Sequence, residues 1–107
     1  MSEPLILRVT EFTGTPGPRK RIQGDFSGQQ FLEEYLLPRF DEAVRLGVKL
    51  IVHLDGTEGY ATSFLEEAFG GLARKRRGSR PLEILDIRSV EEPYLLKPIE
   101  RYIRAAG

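Results

Sequence analysis

No cysteine occurs in this chain, which excludes disulfides, thiolate metal sites and cysteine nucleophiles together. A single histidine, His53, excludes a metal site built from several histidines of one chain. Neither sign of charge is in excess: sixteen Lys and Arg balance sixteen Asp and Glu. The chain as a whole therefore has no field drawing it to nucleic acid or to an anionic membrane. No apolar run approaches the ~18 residues that a spanning helix needs. The opening MSEPLILRVTEF also lacks the basic stretch and long apolar run of a secretory signal. A cytoplasmic protein with no membrane partner is the expectation.

At 107 residues the chain is long enough for one core but not two, so a single domain, 1–107, is expected. Residues 5–12, LILRVTEF, alternate towards their end and read as a strand. TGTPGP is turn chemistry, and RKRIQ after it is expected to return as a polar edge strand of an N-terminal hairpin. An exposed hairpin edge of that kind could support a homodimer. Ser27 and Gln30 have capping-box spacing. They open a helix whose stripe is Phe31, Leu32, Tyr35, Leu36, Phe40, Ala43 and Val44. Pro38 should kink it or split it into two abutting helices, and Gly47 should close it.

VKLIVHLD, residues 48–55, is apolar on both faces apart from Lys49 and His53 and reads as an interior strand. A second helix is expected over about 64–77 and a third strand over 82–87. A last helix opens at Ser89 and Glu92, with Leu95, Ile99, Tyr102 and Ile103 as its stripe and Pro98 as a point of bending. Helices alternating with apolar strands imply an α/β sandwich on a mixed, mostly parallel sheet of about four strands.

The informative stretch is LDGTEGYATSFLEEAFGGLARKRRG, residues 54–78. Ser63 and Glu66 repeat the capping-box spacing, and Leu65, Ala68, Phe69, Leu72 and Ala73 form a buried stripe. Gly70 and Gly71 each cost a helix roughly 0.8–1 kcal/mol relative to alanine, so they imply a close approach there. In open α/β sheets the loops beyond the carboxyl ends of parallel strands commonly hold the site. Asp55, Gly56, Thr57, Glu58, Gly59 and Tyr60 form such a loop, and Thr62 and Ser63 stand at a helix start. A phosphate there would be favoured by free amides and the helix dipole. It would bring about −1.5 to −2 charges beside Asp55, Glu58, Glu66 and Glu67 and repel an acidic partner surface.

SFLEEAFGGL, with the preceding DGTEG and the upstream SGQQFLEEYLLP, resembles the signature of the STAS-like domain family of unknown function over roughly residues 19–78. The resemblance implies a STAS-like α/β sandwich, more distantly like anti-sigma-factor antagonists, in which a partner kinase phosphorylates the first serine of a D-S-S-G-L motif. By position that serine falls on Thr62 and the second on Ser63, while Ala61 stands at the aspartate and Phe64 at the glycine. The resemblance thus implies a non-enzymatic regulatory interaction domain without cofactor. Its implied partner is an ATP-binding, histidine-kinase-like anti-sigma factor or kinase. Asp55, Gly56, Glu58, Gly59, Tyr60, Phe64 and Glu67 are then the candidate partner surface, with Phe64 an exposed anchor and the glycines admitting the partner.

Other constellations point elsewhere. His53, Asp55 and Ser63 could be drawn as a hydrolase triad, but no G-x-S-x-G elbow accompanies them. Asp55, Glu58, Glu66 and Glu67 could hold Mg²⁺, yet Glu66 and Glu67 point about 100° apart on a helix. Arg74, Lys75, Arg76, Arg77 and Arg80 form a basic cluster that supports the alternative of a nucleic-acid-associated regulatory module. Against it, cations favour a helix C-terminus and no aromatic residues are interleaved for stacking.

Overall fold

The computed structural model describes residues 3–106. Three strands, β1 (Leu5–Arg8), β2 (Leu50–His53) and β3 (Leu85–Arg88), form an all-parallel sheet in the order β1-β2-β3. The register places Leu5, Leu50 and Leu85 in one row and Leu7, Val52 and Ile87 in another. These rows face the helices, and Leu7, Leu50, Val52 and Leu85 are buried.

Helix α1 spans 28–46 as one continuous rod: a first turn Gly28–Phe31, a π-helical segment Leu32–Leu36 and an α-helix Leu37–Leu46. Ser27 caps it as its spacing implies, its Oγ accepting from the Gln30 amide at 3.0 Å. The π segment lies just ahead of Pro38, and the Leu37 amide reaches the Leu32 carbonyl five residues back. Proline offers no amide and crowds the preceding turn. A widened turn accommodates both effects, so the helix continues where the sequence implied a kink or a break. Gly47 ends it in the left-handed region, φ +70°.

Helix α2 spans 62–75 and is built in the same way, with a π-helical segment Glu66–Gly70 between the turns Thr62–Leu65 and Gly71–Lys75. A short turn α3 (Pro81–Ile84) leads into β3, and a 3-10 turn Pro93–Leu95 leads into α4 (Leu96–Ala106). Pro98 lies in the first turn of α4, where an amide has no helical partner in any case, so it need not bend the helix. Phe31, Leu32, Leu36, Phe40, Phe64, Phe69, Leu72, Ile99 and Ile103 form the core between the helices and the sheet.

The expected four-strand sheet with an N-terminal hairpin is not what forms. RKRIQ contributes only a 3-10 turn, Arg21–Gln23, in a strap that crosses the start of α1. The physical reason lies at α1. Its free amides at Gly28 and Gln29 are met by the carbonyls of Pro18 and Arg19, at 2.8 and 2.9 Å. Pro16 and Pro18 could not donate to a ladder anyway. The outer edge of β1 is occupied by side chains instead. Glu11 accepts from the Arg8 amide at 3.0 Å, and Arg39 donates to the Ile6 carbonyl at 3.0 Å. No helix of the described residues is long and apolar enough to cross a membrane.

Candidate functional site

The loop after β2 and the loop after β3 meet beyond the carboxyl ends of the strands and clasp one another. The Asp55 carboxylate accepts from the amides of Val90, at 3.0 Å, and Glu91, at 2.9 Å. In return the Glu91 carboxylate accepts from the Gly56 amide at 2.8 Å. Ser89 supplies a further turn bond, its Oγ accepting from the Glu92 amide at 3.0 Å. The clasp is anchored from below by Tyr60, whose hydroxyl donates to the Leu54 carbonyl at 2.6 Å. Burial pushes the Tyr60 phenol well above its ordinary range, so it stays protonated as a donor. Gly56 and Gly59 adopt φ of +91° and +128°, which turns this tight would deny to larger residues. Glu58 projects into solvent while its amide donates to the Gly14 carbonyl at 2.8 Å.

Two large apolar side chains stand on the outside of this clasp. Val90 is 85% exposed and Tyr94 is 68% exposed. The Tyr94 hydroxyl donates to the Glu92 carboxylate at 2.5 Å, which holds the ring beside an acidic rim of Glu91 and Glu92. Sequence reasoning missed both residues, although the signal was present. The rule that favoured the loop after β2 applies equally to the loop after β3, and Val90 is an isolated apolar residue in the turn SVEEPY.

The Asp55 carboxyl is held below the usual aspartate range, first by the Glu91 and Val90 amides that donate to it. A lowered folded-state pKa favours the ionised form on folding. The clasp therefore contributes fully above the unfolded value near pH 4, and its contribution disappears as pH falls through the folded value. Asp55→Ala should accelerate hydrogen exchange at the Val90 and Glu91 amides by at least tenfold at pH 7. The unaltered protein should show the same loosening only below about pH 4. Equal protection of both amides in the two proteins at pH 7 would show that the carboxylate does not fasten the loop.

Several sequence expectations change at α2. Ala61, not Ser63, is the N-cap, and no side chain caps the helix. Thr62 is exposed and Ser63 half-exposed in the first turn, so capping accounts for neither hydroxyl. Phe64 is 0% exposed, stacked on Phe31 with ring centroids 5.9 Å apart and tilted against Tyr60 at 5.7 Å. It is a core residue, not an exposed anchor, because the helix begins earlier and turns that ring inward. Glu67 is only 7% exposed and bonded to Lys20 at 3.0 Å, so it does not belong to an open partner surface. Glu66 pairs with Arg19 and with Arg74. The Arg74 guanidinium, with that of Arg19, holds the Glu66 carboxyl below its usual range. Both glutamates meet Arg19, which therefore ties the strap to the π turn.

Gly71 serves the interior rather than a visitor, while Gly70 leaves room for the Glu66–Arg74 ion pair. A Cβ on Gly71 would come within 2.6 Å of the Leu32 side chain, and one on Gly70 would meet the Glu66 carboxylate. The basic cluster is divided. Arg74 turns to Glu66, Arg76 makes two bonds to Asp41 of α1 at 2.8 and 2.7 Å, and Arg80 pairs with Glu83 at 3.4 Å. Lys75 and Arg77 make no ion pair among the described residues. His53 lies on the sheet, whereas the Asp55 oxygens are engaged by loop amides rather than by an imidazole. No group of three or more His, Cys, Asp or Glu side chains is placed to hold a metal ion among the described residues.

A parallel sheet with helices packed on it, and loops clasped at the carboxyl ends of its strands, defines a small α/β domain of STAS-like architecture. The chain belongs to the family described as STAS-like domain of unknown function, which matches residues 27–94 and so includes α1, β2, α2, β3 and the clasped loops. Comparison with curated proteins and with solved structures finds no match.

Proposed function

We propose that the protein is a non-enzymatic, cytoplasmic regulatory domain that docks a protein partner through the clasped loops, in the manner of an anti-sigma-factor antagonist. The observation that carries this reading is the pairing of exposed Val90 and Tyr94 with an acidic rim on a hydrogen-bonded loop clasp. Small apolar anchors inside a polar rim are what a specific interface needs. Asp55, Gly56, Glu58 and Gly59 build the rest of the surface, and Tyr60 supports it from beneath. The partner in this reading is an ATP-binding, histidine-kinase-like anti-sigma factor or kinase.

Thr62 and Ser63 are the phosphoacceptors of the proposal. Their hydroxyls have no capping duty, and the first-turn amides of α2 would stabilise a phosphate locally. Docking requires the rim to be dehydrated. A hydrated group of about −1.5 to −2 charges beside it raises that cost, so modification releases the partner.

The test is purification of the full chain from its own host followed by native mass spectrometry. The expected result is an ATP-binding protein that co-purifies with the unaltered chain. Val90→Asp with Tyr94→Ala, and separately Thr62→Glu with Ser63→Glu, should each reduce its recovery at least tenfold at unchanged melting temperature. Undiminished recovery with the Val90 and Tyr94 changes would sink the docking surface. Undiminished or increased recovery with the two glutamates would sink the switch alone.

A further inference from the structure

The sheet has a second face, and among the described residues no helix lies on it. Both crossovers, β1 to β2 and β2 to β3, advance in the same direction across the sheet. Right-handed crossovers then deliver every connecting helix to one side. The side chains alternate accordingly. While Leu7, Leu50 and Val52 are buried, the register sets Ile6, Ile51 and Asp86 side by side on the opposite face. Arg8, His53 and Arg88 form the next row. Ile6 is 44% exposed, and an open groove of about 680 Å³ runs over Lys49, Ile51, Asp86 and Arg88.

Parallel sheets ordinarily have both faces covered. The dimensions say by what. Two inter-strand spacings make the sheet roughly 10 Å wide, and one α-helix with its side chains is about 10–12 Å across. A single helix therefore covers three strands. Charge then selects its composition. Arg8, Lys49 and Arg88 surround the two isoleucines; the Asp86 carboxylate between them is already bonded to Arg88 at 2.7 Å, and Glu11, beside Arg8, is already paired with Arg39 at 3.0 Å. A second copy of this face would set these cations against one another. Strand addition at β1 is blocked by Arg39 and Glu11. A single-stranded nucleic acid would find no Phe, Tyr or Trp on either row, and the lone imidazole of His53 cannot stack successive bases.

We propose that the uncovered sheet face, through Ile6 and Ile51 flanked by Arg8, Lys49 and Arg88, receives an acidic amphipathic helix from a partner protein. The helix lays its apolar stripe on the isoleucines and its carboxylates on the flanking cations. This site is separate from the clasped loops and does not depend on their docking a partner.

The experiment places the photocrosslinker p-benzoylphenylalanine at Ile6, and in a second protein at Ile51, of the full chain expressed in its own host. Melting curves establish that each protein is folded, and the attached peptide is sequenced by mass spectrometry. The expected adduct is a peptide of another protein with apolar residues three and four apart and Asp or Glu on the flanks. That peptide, synthesised, should bind the full chain, and Arg8→Glu with Arg88→Glu should weaken binding at least tenfold. Arg101→Glu, on α4, should leave it unchanged. Attachment to a second copy of the chain or to nucleic acid would overturn the proposal. So would the absence of any adduct at both positions, or a peptide whose binding ignores the Arg8 and Arg88 reversals.

Discussion

Phe64→Ala should cost the protein about 3–5 kcal/mol of stability, the usual penalty for removing a fully enclosed aromatic ring. Native domains are stable by only ~5–15 kcal/mol, so the change leaves a marginal fold. The ring is 0% exposed and joins three parts of the structure: α1 through Phe31, the loop after β2 through Tyr60, and α2 through its own backbone. Its loss opens a cavity where the two π-bearing helices begin, and the neighbours cannot collapse without moving backbone. Chemical denaturation should report the midpoint shift at unchanged slope. A variant that melts like the unaltered protein would show that the ring is not part of the core. The result also bears on function, because weakened partner binding in Phe64→Ala would follow from unfolding. Val90→Asp with Tyr94→Ala should weaken binding with the fold intact, and the contrast separates a core residue from an anchor.

Phe64 illustrates what the sequence could convey and what it could not. Helix stripes are periodic, so Phe31, Leu32, Leu36, Phe40, Leu72, Ile99 and Ile103 were legible, and all are buried. Val44 fits the same stripe but stands 49% exposed at the solvent end of α1, since periodicity cannot tell where a helix overruns the core. Ser27 was legible as a cap because its partner lies three residues away. Ser63 has the same spacing to Glu66, yet the helix starts one residue before Ser63 and Glu66 bonds to Arg19 and Arg74 instead. Those partners come from distant segments, and local pattern carries no information about them.

The missing strand has a similar cause. RKRIQ is polar and short enough to be an edge strand, and only the demand of the α1 amides for carbonyls draws the strap elsewhere. The site was half legible for a topological reason. Asp55 and its loop were identified from the position of β2, whereas Val90 and Glu91 depend on β2 and β3 being neighbours in parallel. Once that neighbourhood exists, a carboxylate at the end of one strand can hold the amides at the end of the next.

Gly28→Val should lower stability by about 3 kcal/mol, a fall of roughly 10–20 °C in melting temperature for a domain of this size. Gly28 sits where the first turn of α1 crosses the first turn of α2. A Cβ there would lie 2.5 Å from the Phe64 carbonyl oxygen and 3.1 Å from the Phe64 Cα. Both obstacles are backbone, so relief requires moving a helix rather than turning a side chain. The Phe64 ring is attached to that same Cα, so parting the helices also pulls its stack from Phe31. Gly70→Ala is the informative contrast. Its Cβ also lands close to a neighbour, but the neighbour is the end of the flexible Glu66 side chain, which can swing aside at the cost of partly exposed ion pairs. Against that loss stands the helix-propensity gain of about 1 kcal/mol on replacing an interior glycine by alanine, and the two nearly cancel. Gly28→Val should therefore melt far below the unaltered protein, and Gly70→Ala within a few degrees of it. Equal melting of all three would mean that the two helices do not meet backbone to backbone at Gly28. A close crossing of this kind also explains why Thr62 and Ser63 stand at a fixed place beside the clasped loops. The start of α2 is pinned by the start of α1, because their backbones meet at Gly28 and Phe64.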